Sequence, residues 1–491
     1  MASVTVPGTN GSTITHTYGN QFNQILAQQI SNALAAANSA HDLTITSTAG
    51  GVSPPVPPAV SAPGGINELI ISSGGDYTIP AGQSPGSDYV VVLNSTSPVT
   101  INGAPNTTIL GGSGPTTIID PAVVAIAEEA GSAIANLTIS DPGAVLAGNN
   151  SNDQLAAFGA NQSIAGGSGA NNLFALGTGD TISSSGLRDT LSGSTSGATF
   201  LTAGTNDLVF VGAGGGTVID TGMLSTIVGA AGAVNVTTGG SKGVLFGRAG
   251  AMSVLDSGTG TTIVGGQGPA TVTATGSGEL LGQQSGSLDF IGGASASTVF
   301  GSPGALSTIT AGSGGVWYTN LGDNTTIFGG SGTATLFGGP GGVVNYSGSI
   351  AGAQYEALAG NETLNAASSS TSNLIVGGSD PTGHDMLIGG SGADTMIAGS
   401  GSDTMTGGAG NNDFVFFKNF TAASGNTDII TDFTNNDVVL LSGYGANQAG
   451  ISLATAVTSG GSVTLTLSDN TKITFLGLDS TGPLVNHIAS A

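Results

Sequence analysis

Residues 380–415 read Asp380-Pro381-Thr382-Gly383-His384-Asp385-Met386-Leu387-Ile388, then Gly389-Gly390-Ser391-Gly392-Ala393-Asp394-Thr395-Met396-Ile397, then Ala398-Gly399-Ser400-Gly401-Ser402-Asp403-Thr404-Met405-Thr406, then Gly407-Gly408-Ala409-Gly410-Asn411-Asn412-Asp413-Phe414-Val415. These are four nonapeptides joined without a gap. Position four is always glycine, position six is Asp, Asp, Asp and Asn, and position eight is Leu387, Met396, Met405 and Phe414. Glycines let a turn aim its carbonyl oxygens at one spot, a carboxylate at position six adds charge, and position eight points inward. Hard oxygen donors at flexible distances suit Ca²⁺. The candidate metal ligands are the turn glycines Gly383, Gly390, Gly392, Gly399, Gly401, Gly408 and Gly410, the side chains of Asp385, Asp394, Asp403 and Asn412, and Asp413 beside them. A half-coil of nine residues places turns n and n+2 one above the other. Sites are therefore expected between turns one and three and between turns two and four, about two complete sites in all.

The same period runs backward through the chain. Short β-branched runs end on glycine at Thr108–Gly111, Thr226–Gly229, Val244–Gly247, Thr262–Gly265, Thr298–Gly301, Thr326–Gly329 and Thr335–Gly338. The turn glycines Gly212, Gly229, Gly247, Gly265, Gly282 and Gly301 are 17, 18, 18, 17 and 19 residues apart. Repetition at this short period predicts an all-β, elongated parallel β-solenoid of about 18 residues per coil, in which stacking makes one continuous core. Residues 100–415 would supply about 17 such coils if all follow the period, and the uneven glycine steps predict an irregular coil.

The expected organisation has five parts. Residues 1–49 contain an amphipathic helix at about 18–40, with Phe22, Ile25, Leu26, Ile30, Ala33 and Leu34 on one face, expected to cap the end of the solenoid. Residues 50–65 form a stiff Pro-rich linker that would let this helix reach away from its own body. The solenoid covers 66–376 and the calcium roll 377–416. Residues 417–491 form a C-terminal β cap and secretion module, with strand-like Val463–Leu467 and Lys472–Phe475.

Composition narrows the function. The chain has 491 residues, 86 of them glycine, with only 7 % charged and 38 % apolar. Glycine without a three-residue period excludes collagen, and positive mean hydropathy argues against simple disorder. The formal charge is −24, from 29 acidic residues against five scattered basic ones. No basic patch could neutralise a run of phosphates, so nucleic acid is not an expected partner and divalent cations are. The absence of cysteine removes disulfides and thiolate metal sites. The N-terminus lacks a basic n-region and an apolar core, and no apolar run is long enough to span a membrane. Residues 376–440 hold eight Asp or Glu; residues 200–370 also hold eight in more than twice the length. The body is therefore expected to stand on packing and on Thr, Ser and Asn ladders, without metal.

Gly389–Ile397 matches the G-G-x-G-x-D-x-U-x repeat, and the segment resembles RTX, or hemolysin-type, calcium-binding proteins. Asp413-Phe414-Val415-Phe416 and Asp428-Ile429-Ile430-Thr431-Asp432-Phe433 are similar to the segment that ends the roll in many of them. The first repeat departs by opening on Asp380-Pro381, and the fourth by carrying Asn412. The resemblance implies Ca²⁺ as cofactor and export through type I secretion machinery.

Catalytic motifs are poor. Gly82-Gln83-Ser84-Pro85-Gly86 fits G-x-S-x-G by composition alone, and no His precedes a Glu as a zincin site needs. His384 reads as a solvated turn residue, Glu128 and Glu129 as solvated neighbours, and Trp317 as a strand-face packing residue or a carbohydrate platform. Two function classes result. One is a non-enzymatic, calcium-binding structural protein of the cell surface or matrix, of surface-layer, filament or adhesin type, self-assembling into a homo-oligomer, filament or sheet, with cell-surface polysaccharide as a further partner. The alternative is a β-helix polysaccharide lyase or epimerase with an RTX tail. The second is weakened by a body holding only Arg188, Lys242 and Arg248 as basic residues between 66 and 376, and no His there. A pore-forming toxin would need an apolar helical region, and an ice binder a long regular Thr array.

Overall fold

Short runs with one inward residue, separated by Gly-rich turns, cannot fold alone but stack well. The computed structural model describes the chain except residues 1, 19–20, 49–55, 57–64, 81–87, 103–106, 112–115, 120–122, 128–135, 140–144, 148–153, 158–159, 167–168, 349–351, 359 and 419–424. Most of the Pro-rich stretch 50–65, the Gly82–Gly86 motif and Glu128-Glu129 lie outside the described residues. The fold is an all-β parallel solenoid of about 16 turns of about 18 residues, with only two short helices. The chain divides into two units, Met1–Met252 and Ser253–Ala491.

In the first unit, successive strands alternate between two parallel sheets. One sheet runs through Gln154, Asn172, Thr190, Leu208, Thr226 and Val244, each paired with the next one coil on. Every step is 18 residues. The coil is thus regular over 154–244, contrary to the irregularity expected from the glycines. The turn glycines are not all at equivalent turn positions, so they are poorer landmarks than the inward residues. Those residues, Leu191, Val209, Ile227 and Leu245, are at most 2 % exposed. Burial of each such side chain stabilises the stack by about 1.5–3 kcal/mol.

The N-terminus departs from the expected layout. An antiparallel hairpin, Ala2–Pro7 with Thr13–Tyr18, precedes helix α1, Gln21–Ala40. Strand Leu43–Thr48 follows and pairs in parallel with Ile66–Ile71. It is the first rung of the solenoid, and it lies before the Pro-rich stretch. That stretch therefore joins rung one to rung two, and it cannot let α1 reach away from the body. Helix α1 instead covers a side face. Ala27, Ile30 and Leu34 share a buried cluster with Val4 and Val6 of the hairpin and with the outward residues Ile70, Val90, Val92 and Leu110. The apolar stripe read from the sequence is real, but a sheet flank with outward Ile and Val attracts it more than a strand edge does. Glu68 lies on that same outward face, between Ile66 and Ile70. It is 1 % exposed and neither carboxylate oxygen has a hydrogen-bond partner, so burial raises its pKa to about 7.

In the second unit the coil lengthens along the chain. Thr262 pairs with Leu280 and Leu280 with Thr298 at 18 residues, whereas Gln354 pairs with Leu374 at 20 and Leu374 with Thr395 at 21. Strand register is kept and the extra residues go into turns. Within the nonapeptides the step returns to 18, at Met386 with Thr404 and Thr395 with Asp413. The C-terminal end is closed as the sequence suggests. Ser462–Thr466 is antiparallel to Lys472–Leu476, which pairs in parallel with Thr427–Ile430. Helix α2, Gln448–Ala454, precedes this hairpin, and Ile488–Ser490 adds a last strand beside Val438–Ser442.

Candidate metal centre

The nonapeptides place their position-eight residues inward. Leu387, Met396, Met405 and Phe414 are each 0 % exposed. That anchors each turn, so position six falls at a fixed place at the strand's start. Turns one and three stack on one side and turns two and four on the other, giving two columns of side chains.

The first column is Glu362, Asp385, Asp403, Asp428. Each acid takes the backbone N–H of the residue one coil before it: Glu362 N–H donates to Asp385 Oδ1 at 2.9 Å, Asp385 to Asp403 at 3.1 Å and Asp403 to Asp428 at 3.0 Å. The second oxygen is held by a glycine. Gly378 N–H donates to Asp385 Oδ2 at 2.8 Å, and Gly399 N–H to Asp403 Oδ2 at 2.9 Å. The second column is Asn373, Asp394, Asn412, Asp437. Asp394 Oδ1 accepts from Asn373 N–H at 2.7 Å and from its side-chain amide at 2.8 Å, while Gly390 N–H donates to Oδ2 at 2.7 Å. Asp394 N–H in turn donates to Asn412 Oδ1 at 3.0 Å, and Asn412 N–H to Asp437 Oδ1 at 2.9 Å.

The columns differ in charge. The second alternates carboxylate with amide, whereas the first is four acids in succession. Burial pushes Asp403 up to about 6, with hydrogen bonding from Asp385 opposing and the Asp385 charge adding. Asp428 goes up to about 8, again chiefly through burial, and its Oδ2 has no hydrogen-bond partner. Asp394 is also raised by burial, against three hydrogen bonds that favour its ionised form. Buried carboxylates in low dielectric favour neutralisation, by a proton or by a cation.

The donors fit a hard cation. Position four in turn three, Gly401, has φ +110, and a side chain there would overlap the Gly383 carbonyl oxygen and lie 3.0 Å from that of Asp380. At Gly408 and Gly410 it would overlap the carbonyl oxygens of Gly390 and Gly392. Only glycine leaves these oxygens facing the gap between turns. Each carboxylate oxygen has accepted N–H groups through one side and keeps lone-pair capacity. Among the described residues no three Asp, Glu, His or Cys side chains are placed to hold a metal by themselves. A Ca²⁺ ion would therefore be held by Asp385, Asp403 and Asp428, or by Asp394, Asn412 and Asp437, together with turn carbonyls. It would supply the positive charge the columns lack.

Other candidate residues fall outside the columns. Asp413 is half-buried at the start of strand Asp413–Phe417, and its N–H donates to the Asp394 carbonyl at 2.9 Å. His384 is exposed, with Nδ1 3.0 Å from the Ser402 carbonyl oxygen. Trp317 is 52 % exposed on an outward strand face, tilted against Phe337 at 5.4 Å between centroids. Sequence reasoning missed Glu362, Asn373, Asp428, Asp432 and Asp437 as members of the site. Asp432 caps turn four by accepting N–H bonds from Gly407 and Gly408, both at 2.8 Å. The coil leading to Asp428 is 25 residues, so a fixed step of 18 passes over it.

The body corrects a further expectation. Of the eight acids in 200–370, six (Asp207, Asp220, Asp256, Glu279, Asp323 and Glu362) are buried. Acids a little upstream repeat the device seen in the nonapeptides. Asp189 accepts from Asn171 N–H at 2.7 Å and Gly186 N–H at 3.1 Å, and Asp189 N–H donates to Asp207 at 3.0 Å. The body thus has few carboxylates, but it places them inside its turns.

No curated protein matches the chain. Residues 382–414 match the family model of the RTX calcium-binding nonapeptide repeat, in four copies. With the stacked glycine turns and oxygen-lined columns already described, the C-terminal region of this solenoid is an RTX calcium-binding repeat segment.

Proposed function

We propose that the chain is a secreted, non-enzymatic structural protein of the cell surface or extracellular matrix, whose RTX segment orders on Ca²⁺ and which then self-assembles into filaments or sheets. The observation that carries this is the buried column Glu362–Asp385–Asp403–Asp428, whose hydrogen-bond donors are backbone N–H groups and not basic side chains. Such a column resists folding until a cation neutralises it, and metal-binding free energy is then folding free energy. A segment of this kind stays open where Ca²⁺ is scarce, as in the cytosol, and closes outside. Type I export of the unfolded chain follows that logic. No helix among the described residues is long and apolar enough to cross a membrane.

Assembly draws on the strand edges. Among the described residues, strand Leu43–Thr48 has a strand neighbour on one side only, Ile66–Ile71, and an open edge can template pairing with another copy. A head-to-tail contact of unlike ends builds open filaments or rings. The net charge of −24 opposes that contact until Ca²⁺ offsets part of it. The half-exposed Trp317 against Phe337 offers a flat aromatic face of the kind that stacks on cell-surface polysaccharide. Two experiments test the reading. Deletion of residues 380–491 should retain the protein inside the cell, and its normal appearance in the medium would overturn the export role. Negative-stain microscopy at millimolar Ca²⁺ should show filaments or sheets that disperse on chelation; a monodisperse monomer would reject self-assembly.

A further inference from the structure

Two coils of the second unit carry a buried polar cluster that the nonapeptide columns do not include. Thr261, Glu279 and Ser297 stand one above another, since Thr262 pairs with Leu280 and Leu280 with Thr298. They are 1 %, 3 % and 2 % exposed, and Asp256 beside them is 0 % exposed. Asp256 Oδ1 accepts the Gly258 N–H at 2.8 Å, and Glu279 Oε2 accepts the Ser297 hydroxyl at 3.3 Å. The other oxygen of each acid, Asp256 Oδ2 and Glu279 Oε1, has no partner, and neither does Thr261 Oγ1.

Three unpartnered oxygens on four fully enclosed side chains are a large unmet demand, because a buried polar group without a partner is costly. The acids are close enough to sense each other: burial raises the Glu279 pKa, and the Asp256 charge raises it further. A backbone oxygen faces the same gap. A side chain at Gly276 would overlap the Gly258 carbonyl oxygen and come within 2.9 Å of Glu279 Oε1. No nitrogen or sulfur ligand is among these groups.

We propose that Asp256 Oδ2, Glu279 Oε1, Thr261 Oγ1 and the Gly258 carbonyl oxygen bind one hard divalent cation of the calcium class inside the solenoid body. Two carboxylates, a hydroxyl and a carbonyl form the mixed oxygen set that Ca²⁺ accepts at flexible distances, whereas Mg²⁺ retains several waters that a dry interior does not supply. The site lies more than a hundred residues before the matched repeats and has no nonapeptide pattern. It would pin two neighbouring coils that the body's apolar residues alone leave with facing charges.

The test uses the full-length chain and Ca²⁺ itself. Equilibrium dialysis at fixed free Ca²⁺ should show Glu279→Gln binding one ion fewer per chain than the wild type, and Thr261→Val should weaken that ion at least tenfold. Asp403→Asn should leave this ion in place. Wild-type hydrogen exchange covers the case in which a variant fails to fold: amides of 256–282 should gain protection on Ca²⁺ addition. An unchanged ion count in folded Glu279→Gln, or unchanged protection of 256–282, overturns the proposal. So does an infrared carboxylic-acid band that persists at saturating Ca²⁺ and vanishes in Glu279→Gln, since the two acids would then share a proton instead of a metal.

Discussion

The turns around Asp189 and the turns around Asp403 are built alike and are charged differently. In both, one carboxylate oxygen accepts the N–H of the residue one coil earlier and the other accepts an N–H from its own turn. In the first unit the column reads Asn171, Asp189, Asp207, Ser225, Gly243, so two acids are flanked by neutral residues. In the RTX segment it reads Glu362, Asp385, Asp403, Asp428 without a break. One device serves both regions. A lone acid in it is a structural cap satisfied by N–H groups, and an unbroken run of acids demands a cation. Charge density along the column, more than turn shape, separates scaffold from metal site.

The sharpest way to break this contrast is to remove the metal. Chelation should unfold the RTX segment while the regular coils of 154–244 stay intact. Hydrogen-exchange mass spectrometry should show amides of 385–440 losing protection by orders of magnitude and those of 190–245 losing little. Equal loss in both regions would mean that the body depends on the same ions.

A second, smaller effect is in pH. Asp403 and Asp428 have folded-state pKa values raised to about 6 and about 8, above the ordinary carboxylate value of 3.8. Between the unfolded and folded values the native state holds more protons, so metal-free stability falls as pH rises from about 4 to about 8. Calcium binds the ionised form, so at saturating Ca²⁺ the slope should vanish or reverse. Thermal melts across this range, with and without Ca²⁺, check the sign. Glu68, raised to about 7 beside the apolar face that packs on α1, adds a calcium-independent loss over the same range. Glu68→Gln should remove that part alone.

The smallest effect sharpens the comparison at one residue. Asp189→Asn keeps the shape and loses the charge on bonds worth about 1.5–3 kcal/mol when charged, so it should destabilise by about 1 kcal/mol with no change in calcium binding. Asp403→Asn should do the reverse: metal-free stability should rise slightly, because a buried charge is gone, and Ca²⁺ affinity should fall at least tenfold. Calorimetric titration beside denaturant melts separates the two. Equal calcium effects of both substitutions would erase the distinction drawn between the columns.

Much of this protein was legible without coordinates. Period nine, the β-branched runs and the glycine turns specify a two-sheet parallel coil, because a strand side chain repeats every two residues and a turn must return after a fixed length. The calcium segment was legible for the same reason: Gly, Asp and an apolar residue recur in phase, so turn pairing follows by arithmetic. The α1 stripe was legible as amphipathic, but its partner was not, since only the folded chain brings outward Ile70, Val90 and Val92 under it. Nor could the sequence place Leu43–Thr48 as the first rung, because a parallel partner across a proline-rich gap leaves no local mark. The columns were half legible. Asp385, Asp394 and Asp403 sit at the periodic position, whereas Asp428 and Asp437 join them across coils of 25 residues. The burial of Asp256 and Glu279 was invisible for a further reason. Sequence spacing tells which residues face inward, but whether an inward acid finds a donor depends on atoms contributed by other coils, and only tertiary packing decides that.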